Sequence, residues 1–366
     1  MRSHRSWPRS RGADVAGTPR VALCGAGMIS QAHAAAATAS GMQVVAVASR
    51  SHARAASRAA ELGAVAVAYD DLPGDADIVV VSTPPARHAD DAIHALRAGA
   101  AVVVEKPLCT TLADADRVVE AAAAHAERLL YAENLAYAPV VQALVARVGD
   151  LGPLTHLEVR SLQGLPTWGD FTTEEWGGGA LFDLGVHPLA VALLCANAGG
   201  AGSPVSVAAR LEGGVGHGTD EWAEVRLTYA GGLVARVESS WRSPDSTVWD
   251  AQVASAIGVL RAELLPPPSL ERDGDEVVLP PVRAAVPAVE RFGYLGQLRA
   301  FADDVGQRRT PLMSAGFGRF VLDVVCAAYR SAGRGSEPEP LPFQGPRDLT
   351  PLQLWRGEQP RPIRSP

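Results

Sequence analysis

From Arg20 to about Asn134 the chain repeats one pattern, a short apolar run followed by an alanine-rich stretch of helical composition. The apolar runs are Val21–Cys24, Val44–Ala48, Ile78–Ser82, Ala101–Glu105 and Leu129–Glu133. The stretches between them include Gln31–Ala39, Ala53–Leu62, Ala89–Ala98 and Leu112–Ala126. Strands buried on both faces read as continuous apolar runs, and parallel strands need long crossovers, usually helical. The pattern therefore predicts an α/β domain over residues 20–134, a doubly wound parallel sheet with helices on both faces.

After Pro139 the rhythm changes. Leu154–Leu162, Val205–Glu212, Glu221–Tyr229, Leu233–Ser240, Ala251–Ala256 and Val259–Leu264 read as longer strands. Within "TYAGGLVARVESSW", Gly231-Gly232 predicts a hairpin turn, because glycine tolerates positive φ. Helices are expected at Gly179–Ala196, Tyr294–Val305 and Gly318–Ala332. Residues 135–332 thus read as an α+β domain with an open, mostly antiparallel mixed sheet. Residues 1–19 read as a disordered extension, and 333–366 as a proline-rich tail whose Leu349, Leu352 and Leu354 could dock on the body. There is no internal repeat.

A net charge of −7 offers no basic field for nucleic acid. No apolar run reaches membrane-spanning length. Cys24, Cys109, Cys195 and Cys326 have no paired spacing and no histidine cluster beside them. That argues against structural zinc and a disulfide framework, so a cytoplasmic location is expected and no metal is assigned.

The chemistry-bearing residues fall where the apolar runs end. "VALCGAGMISQAH" sets Gly25 and Gly27 between the first strand and the next helix, so the turn Gly25–Ile29, including Met28, would hold a dinucleotide pyrophosphate. Ser30 stands where the usual fingerprint has its third glycine. The second strand leads into Ser49 and Arg50, with Arg54 one turn later, where an NAD-preferring site usually carries an acid. A hydroxyl and a guanidinium suit the extra phosphate of NADP(H), with NAD(H) as the alternative. Ser82, Thr83 and Pro84 follow the third apolar run, and His88 opens the next helix, as a ligand contact or as a cap. In "VVVEKPLC", Glu105 and Lys106 close a buried strand, either as an ion pair or with the lysine aimed at a ligand. In "WGGGALFDLGVHPLAVALL", Asp183 and His187 stand at i and i+4, so one helix would present both on one face, as an acid–base pair or a surface ion pair.

Together "GAGMISQAH", "STPPARHADDAIHALRAGAAVVVEKPLCTTLADA" and "GGGALFDLGVHPL" resemble the Gfo/Idh/MocA oxidoreductases over about residues 20 to 330. The resemblance implies a Rossmann domain, a substrate domain whose open sheet often mediates homo-oligomers, and hydride transfer between NAD(P) and a sugar, cyclitol or polyol. It places Glu105 and Asn134 with the cofactor-binding residues and Lys106, Asp183 and His187 in the substrate pocket. His187 would then accept the hydroxyl proton, Asp183 would orient its ring, and Lys106 would stabilise alkoxide charge. Ala136 and Ala138 lie in a region where many members have an arginine, so substrate contacts do not transfer from relatives. A non-catalytic dinucleotide sensor and an NAD-dependent glycoside hydrolase are the rival readings.

Overall fold

The computed structural model describes residues 18–213, 218–265 and 267–360. The expected N-terminal extension, but for its last two residues, lies outside that range, as do the final six residues of the tail. The chain forms two compact units. One comprises the residues up to Cys109, Ala115–Ala138 and Pro281–Gly318; the other comprises Thr110–Asp114, Pro139–Pro280 and the residues from Arg319 on. The linear boundaries expected from the sequence, 20–134 and 135–332, differ from this division, because the chain returns to the first unit over Pro281–Gly318 before its last segment rejoins the second.

The first unit contains β1 (Arg20–Cys24), α1 (Ile29–Ala39), β2 (Gln43–Ala48), α2 (His52–Leu62), β3 (Val65–Val67), β4 (Ile78–Val81), α3 (Pro85–Arg97), β5 (Ala101–Glu105), α4 (Leu112–Ala122) and β6 (Leu129–Ala132). Its six strands run in the order β3-β2-β1-β4-β5-β6, every pair parallel. Strands β4 and β5 are buried along their whole length, which explains their uninterrupted valine content. The sequence reading missed β3. It is three residues long at the sheet edge, within the short apolar stretch AVAVAY of residues 64–69, and leaves Val65 60% exposed. The strand order reverses between β1 and β4, and ligands of open α/β sheets bind outside the carboxyl ends at such a point.

The second unit carries α5 (Pro139–Val148), β7 (Leu154–Leu162), α6 (Ala180–Asp183), α7 (Val186–Ala198), β8 (Pro204–Gly213), β9 (Asp220–Tyr229), β10 (Val234–Ser240), β11 (Val248–Ser255), β12 (Gly258–Glu263), β13 (Ser269–Arg272) and β14 (Asp275–Glu276). Then come α8 (Pro287–Arg291) and α9 (Tyr294–Gln307) of the first unit, α10 (Ala315–Gly333), β15 (Glu339–Pro340) and α11 (Pro351–Trp355). The nine strands order as β14-β13-β12-β11-β7-β10-β9-β8-β15. The sheet is mixed because β10 pairs parallel with β7, while the other paired strands are antiparallel. The β9–β10 hairpin is present; of its two glycines only Gly232 takes a positive φ, +89°.

Two expectations need correction. The segment 179–196 is not one helix. Gly185 lies where a Cβ would come within 2.7 Å of the Leu181 carbonyl oxygen and 2.8 Å of Ser239 Oγ, and the axis bends by 45° between the α6 segment and α7. The C-terminal stretch is also more than a tail. β15 pairs with β8, and α11 starts at a capping box in which Thr350 and Gln353 satisfy each other's backbone N–H groups. Leu349, Leu352 and Leu354 are buried, as their apolar character suggested.

Candidate active site

In the first unit the cofactor candidates gather at the carboxyl ends of the strands. Gly25 leaves β1 at φ +125°, its N–H donating to the Ala48 carbonyl (2.8 Å). A Cβ there would lie 2.6 Å from the Ser82 carbonyl oxygen, so only glycine fits. Gly27 has open space where its Cβ would be, which leaves the backbone approachable. Met28, 52% exposed, begins α1 without any side-chain cap, and the Ser30 and Gln31 N–H groups donate to the Gly27 and Met28 carbonyls (3.2 and 3.0 Å), so the turn is held by its own backbone. Ile29 opens the helix. Ser30 substitutes for the third glycine by turning its hydroxyl onto the Gly27 carbonyl (2.6 Å) and staying buried.

At the end of β2, Ser49 Oγ accepts from the Ser51 N–H (3.3 Å), and Ser51 caps α2. Arg50 is exposed, and its N–H donates to Tyr69 Oη (2.9 Å). The Tyr69 ring lies 4.8 Å under the Arg87 guanidinium, Arg87 pairs with Asp91 (2.6 Å), and Asp91 accepts from Thr83 Oγ1 (2.8 Å). This relay ties the loop after β2 to the Ser82–Pro84 loop. Sequence reasoning missed it, because Tyr69, Arg87 and Asp91 share no spacing with Arg50.

Two buried histidines flank the end of β5. His33, on α1, donates through Nε2 to Glu105 Oε1 (2.6 Å), and the Lys106 N–H donates to Glu105 Oε2 (3.0 Å). Burial works to raise the Glu105 carboxyl, but the His33 hydrogen bond and the charges of His33 and Lys106 hold it below its ordinary value. His88 sets Nδ1 2.9 Å from the Pro107 carbonyl oxygen and Nε2 2.7 Å from that of Thr83, fastening the two loops together. Burial pulls its pKa down, against those two hydrogen bonds and the charges of Glu105 and Asp91. The Asn134 amide donates to the Phe292 carbonyl (2.7 Å). The side chains of Glu105, His88 and Asn134 are therefore all engaged by this unit itself. His33 was legible only as the last residue of the quoted glycine motif.

In the second unit Asp183 ends α6 and His187 sits in the first turn of α7, at 5% and 7% exposure. The break at Leu184–Gly185 falls between them, so the two do not lie on one continuous helix as the i, i+4 spacing assumed. The His187 ring lies 5.5 Å from the ring of Trp249. Asp220 anchors the start of α6: its carboxylate accepts from the Gly179 and Leu181 N–H groups (3.0 and 2.8 Å) and from Tyr329 Oη. Burial pushes the Asp220 carboxyl up to about 6, against those three hydrogen bonds. This residue too escaped the sequence reading, since it stands alone at the start of β9.

Residues 19–133 match the profile of an oxidoreductase family with an NAD-binding Rossmann fold, and residues 141–259 match the Gfo/Idh/MocA C-terminal domain. A dTDP-3,4-didehydro-2,6-dideoxy-alpha-D-glucose 3-reductase of Saccharopolyspora spinosa is 39% identical over 157 residues, 40% of this chain and 46% of that protein. A D-glucoside 3-dehydrogenase of Escherichia coli (strain K12) is 33% identical over 186 residues, 48% of this chain and 53% of that one. The chain thus spans about half the length of the curated relatives it matches. Among solved structures, GenD2 from gentamicin A biosynthesis, in complex with NAD, superposes with a TM-score of 0.78 at 24% identity. That match covers 90% of this chain and 98% of the other, and it shows that the fold is shared.

Proposed function

Because the chain belongs to the Gfo/Idh/MocA oxidoreductase family, we propose that it transfers hydride between a nicotinamide dinucleotide and a secondary alcohol or ketone carbon of a sugar, cyclitol or related polyol. The observation that carries the reading is the burial of Asp183 and His187 in an apolar helix pair, since buried ionisable groups are costly and concentrate where chemistry needs them. The names of two relatives, a 3-reductase and a D-glucoside 3-dehydrogenase, favour a ring carbon of a pyranose-type sugar.

The Gly25–Ile29 turn fits a dinucleotide: no Cβ blocks Gly27, and the start of α1 carries no side-chain cap. When bound, the nicotinamide supplies the two-electron chemistry. His187 takes the hydroxyl proton in oxidation and returns it in reduction, a role suited to imidazole near neutral pH. Asp183 orients that ring and balances imidazolium charge, and Lys106 offers a charged donor to alkoxide oxygen. Glu105, gripped by His33, fixes the backbone at Lys106. Asn134 and His88 act by holding loops, through Phe292 and through Thr83 and Pro107. Ser49 and the exposed Arg50, with no acid beside them, favour NADP(H) over NAD(H).

We further place the protein in the cytoplasm, which suits four buried cysteines that form no disulfide, and as a homo-oligomer joined through the large sheet. The sheet face away from α6 and α7 supports the latter, with Arg236 pairing to Glu158, Glu224 and Glu238 and Arg160 to Asp250. A screen of polyols, sugars, glycosides and nucleotide sugars, read by NAD(P)H absorbance, tests the activity. Net cofactor reduction or oxidation is expected. Product formation with no net cofactor change would point to a hydrolase, and dinucleotide binding with no turnover to a sensor.

A further inference from the structure

In the second unit, the parallel pairing of β7 with β10 sends the segments after Leu162 and Ser240 out at the same end of the sheet. β11 starts at that end, because it runs antiparallel to β7 and sets Trp249 opposite Ser161. Aromatic side chains from these segments form a continuous strip. Trp168 meets Phe171 edge to face at 6.4 Å, and Phe171 meets Trp176 at 4.7 Å and Trp241 at 6.5 Å. Phe171 and Trp249 both pack on the buried cluster of Trp241, Ala180 and Leu184. At its inner end, Trp249 lies 5.5 Å from the His187 ring at 38°.

Three details set this strip apart from ordinary core. Trp168 is 48% exposed at its outer end, where a core aromatic would be covered. The Trp249 indole N–H donates to Gln163 Oε1 (3.2 Å), which fixes its ring plane beside His187. The indole nitrogens of Trp176 and Trp241 are buried with no hydrogen-bond partner, although buried indoles usually find one. A ligand that offers both C–H faces and oxygen acceptors matches this set, and carbohydrate rings do.

We propose that the strip binds a glycoside: the ring whose hydroxyl reaches His187 stacks on Trp249, and a flat apolar aglycone lies along Phe171 and Trp168. This rests on His187 being the proton acceptor of the reading above. It goes further in selecting glycosides with an aromatic aglycone over free sugars and cyclitols, because a single ring at His187 would leave Trp168 uncovered.

The test is isothermal titration calorimetry of the full chain with saturating NADP+. The ligands are phenyl and methyl pyranosides of gluco, galacto and xylo configuration in both anomers, together with D-glucose and myo-inositol. NADPH formation is followed in parallel. For at least one sugar, the phenyl glycoside is expected to bind about fivefold or more tighter than the methyl one, within the range of an aromatic contact. Trp168→Ala, at an exposed position, and Phe171→Leu, which keeps an apolar side chain, should each bring that ratio toward one. Equal binding of phenyl and methyl glycosides, no binding of any glycoside, or a ratio untouched by both substitutions overturns the proposal. Turnover of free sugars or inositol without a phenyl preference also overturns it and leaves the hydride-transfer reading standing. Aromatic-dependent binding without NADPH formation sustains the strip and removes that reading instead.

Discussion

Individual residues at the carboxyl ends of the first sheet are constrained by contacts that a substitution can probe one at a time. Gly25 combines φ +125° with a backbone neighbour 2.6 Å from its would-be Cβ. Gly25→Ala should therefore cost at least about 1–3 kcal/mol in urea unfolding and abolish saturable dinucleotide binding, since the turn must shift. Arg50 presents an exposed guanidinium after β2. In fluorescence titrations Arg50→Ala should weaken NADPH about tenfold or more while changing NADH little, because only the extra phosphate loses a charged partner. Equal losses for both cofactors would contradict the assigned preference. The glycines, Ser49–Arg50 and Lys106 were legible because turn chemistry and strand ends are local features. The partners of Glu105 and Thr83 were not. His33 and Asp91 lie 72 and 8 positions away, and only folding brings them within hydrogen-bond reach.

Among the elements, the α6–α7 pair shows how far a periodic reading goes. The apolar character of Gly179–Ala196 announced one helix, but Gly185, at the break, has no room for a Cβ beside Leu181 of the preceding turn and Ser239 of β10, and the second of these contacts is made only by folding. The start of α6 depends on Asp220, whose carboxyl rises from an ordinary 3.8 to about 6 mainly through burial. A carboxyl that binds its proton more readily in the folded state adds stability below the unfolded value and loses it as pH rises through the folded one. Asp220 should thus give up about 3 kcal/mol at most between pH 4 and 7. Asp220→Asn cannot titrate and keeps one accepting oxygen, so its NH2 group is set against either the Gly179 or the Leu181 N–H donor. Urea midpoints should show it less stable than the wild type, with the gap narrowing as pH rises through about 6. A constant gap would mean that the carboxyl keeps an ordinary pKa. The capping box of α11 was the opposite case, a readable Thr-Pro-Leu-Gln signal hidden by the proline-rich composition around it.

At the scale of the whole molecule, neither the noncontiguous units nor the strand order of the large sheet could be read from periodicity, which carries no record of which segments pair. The return of Pro281–Gly318 to the first unit is a long-range event of this kind. Two consecutive folding patterns, parallel α/β and then mixed sheet, were legible because each leaves its own rhythm of apolar residues. If the charged face of the large sheet joins copies of the chain, the wild type should sediment well above its monomer mass of 38.2 kDa. Arg236→Glu, which sets a fourth carboxylate among Glu158, Glu224 and Glu238, should shift it toward monomer; a monomeric wild type would refute that assembly. The central claim, that Lys106 and His187 serve one hydride-transfer reaction, is tested most directly by steady-state kinetics of Lys106→Ala and His187→Ala. The assay uses the substrate from the screen, with a parallel NADPH titration. Each variant should lose at least about a hundredfold in kcat, while the NADPH affinity of His187→Ala stays near that of the wild type. Near-wild-type kcat in both variants would contradict the account.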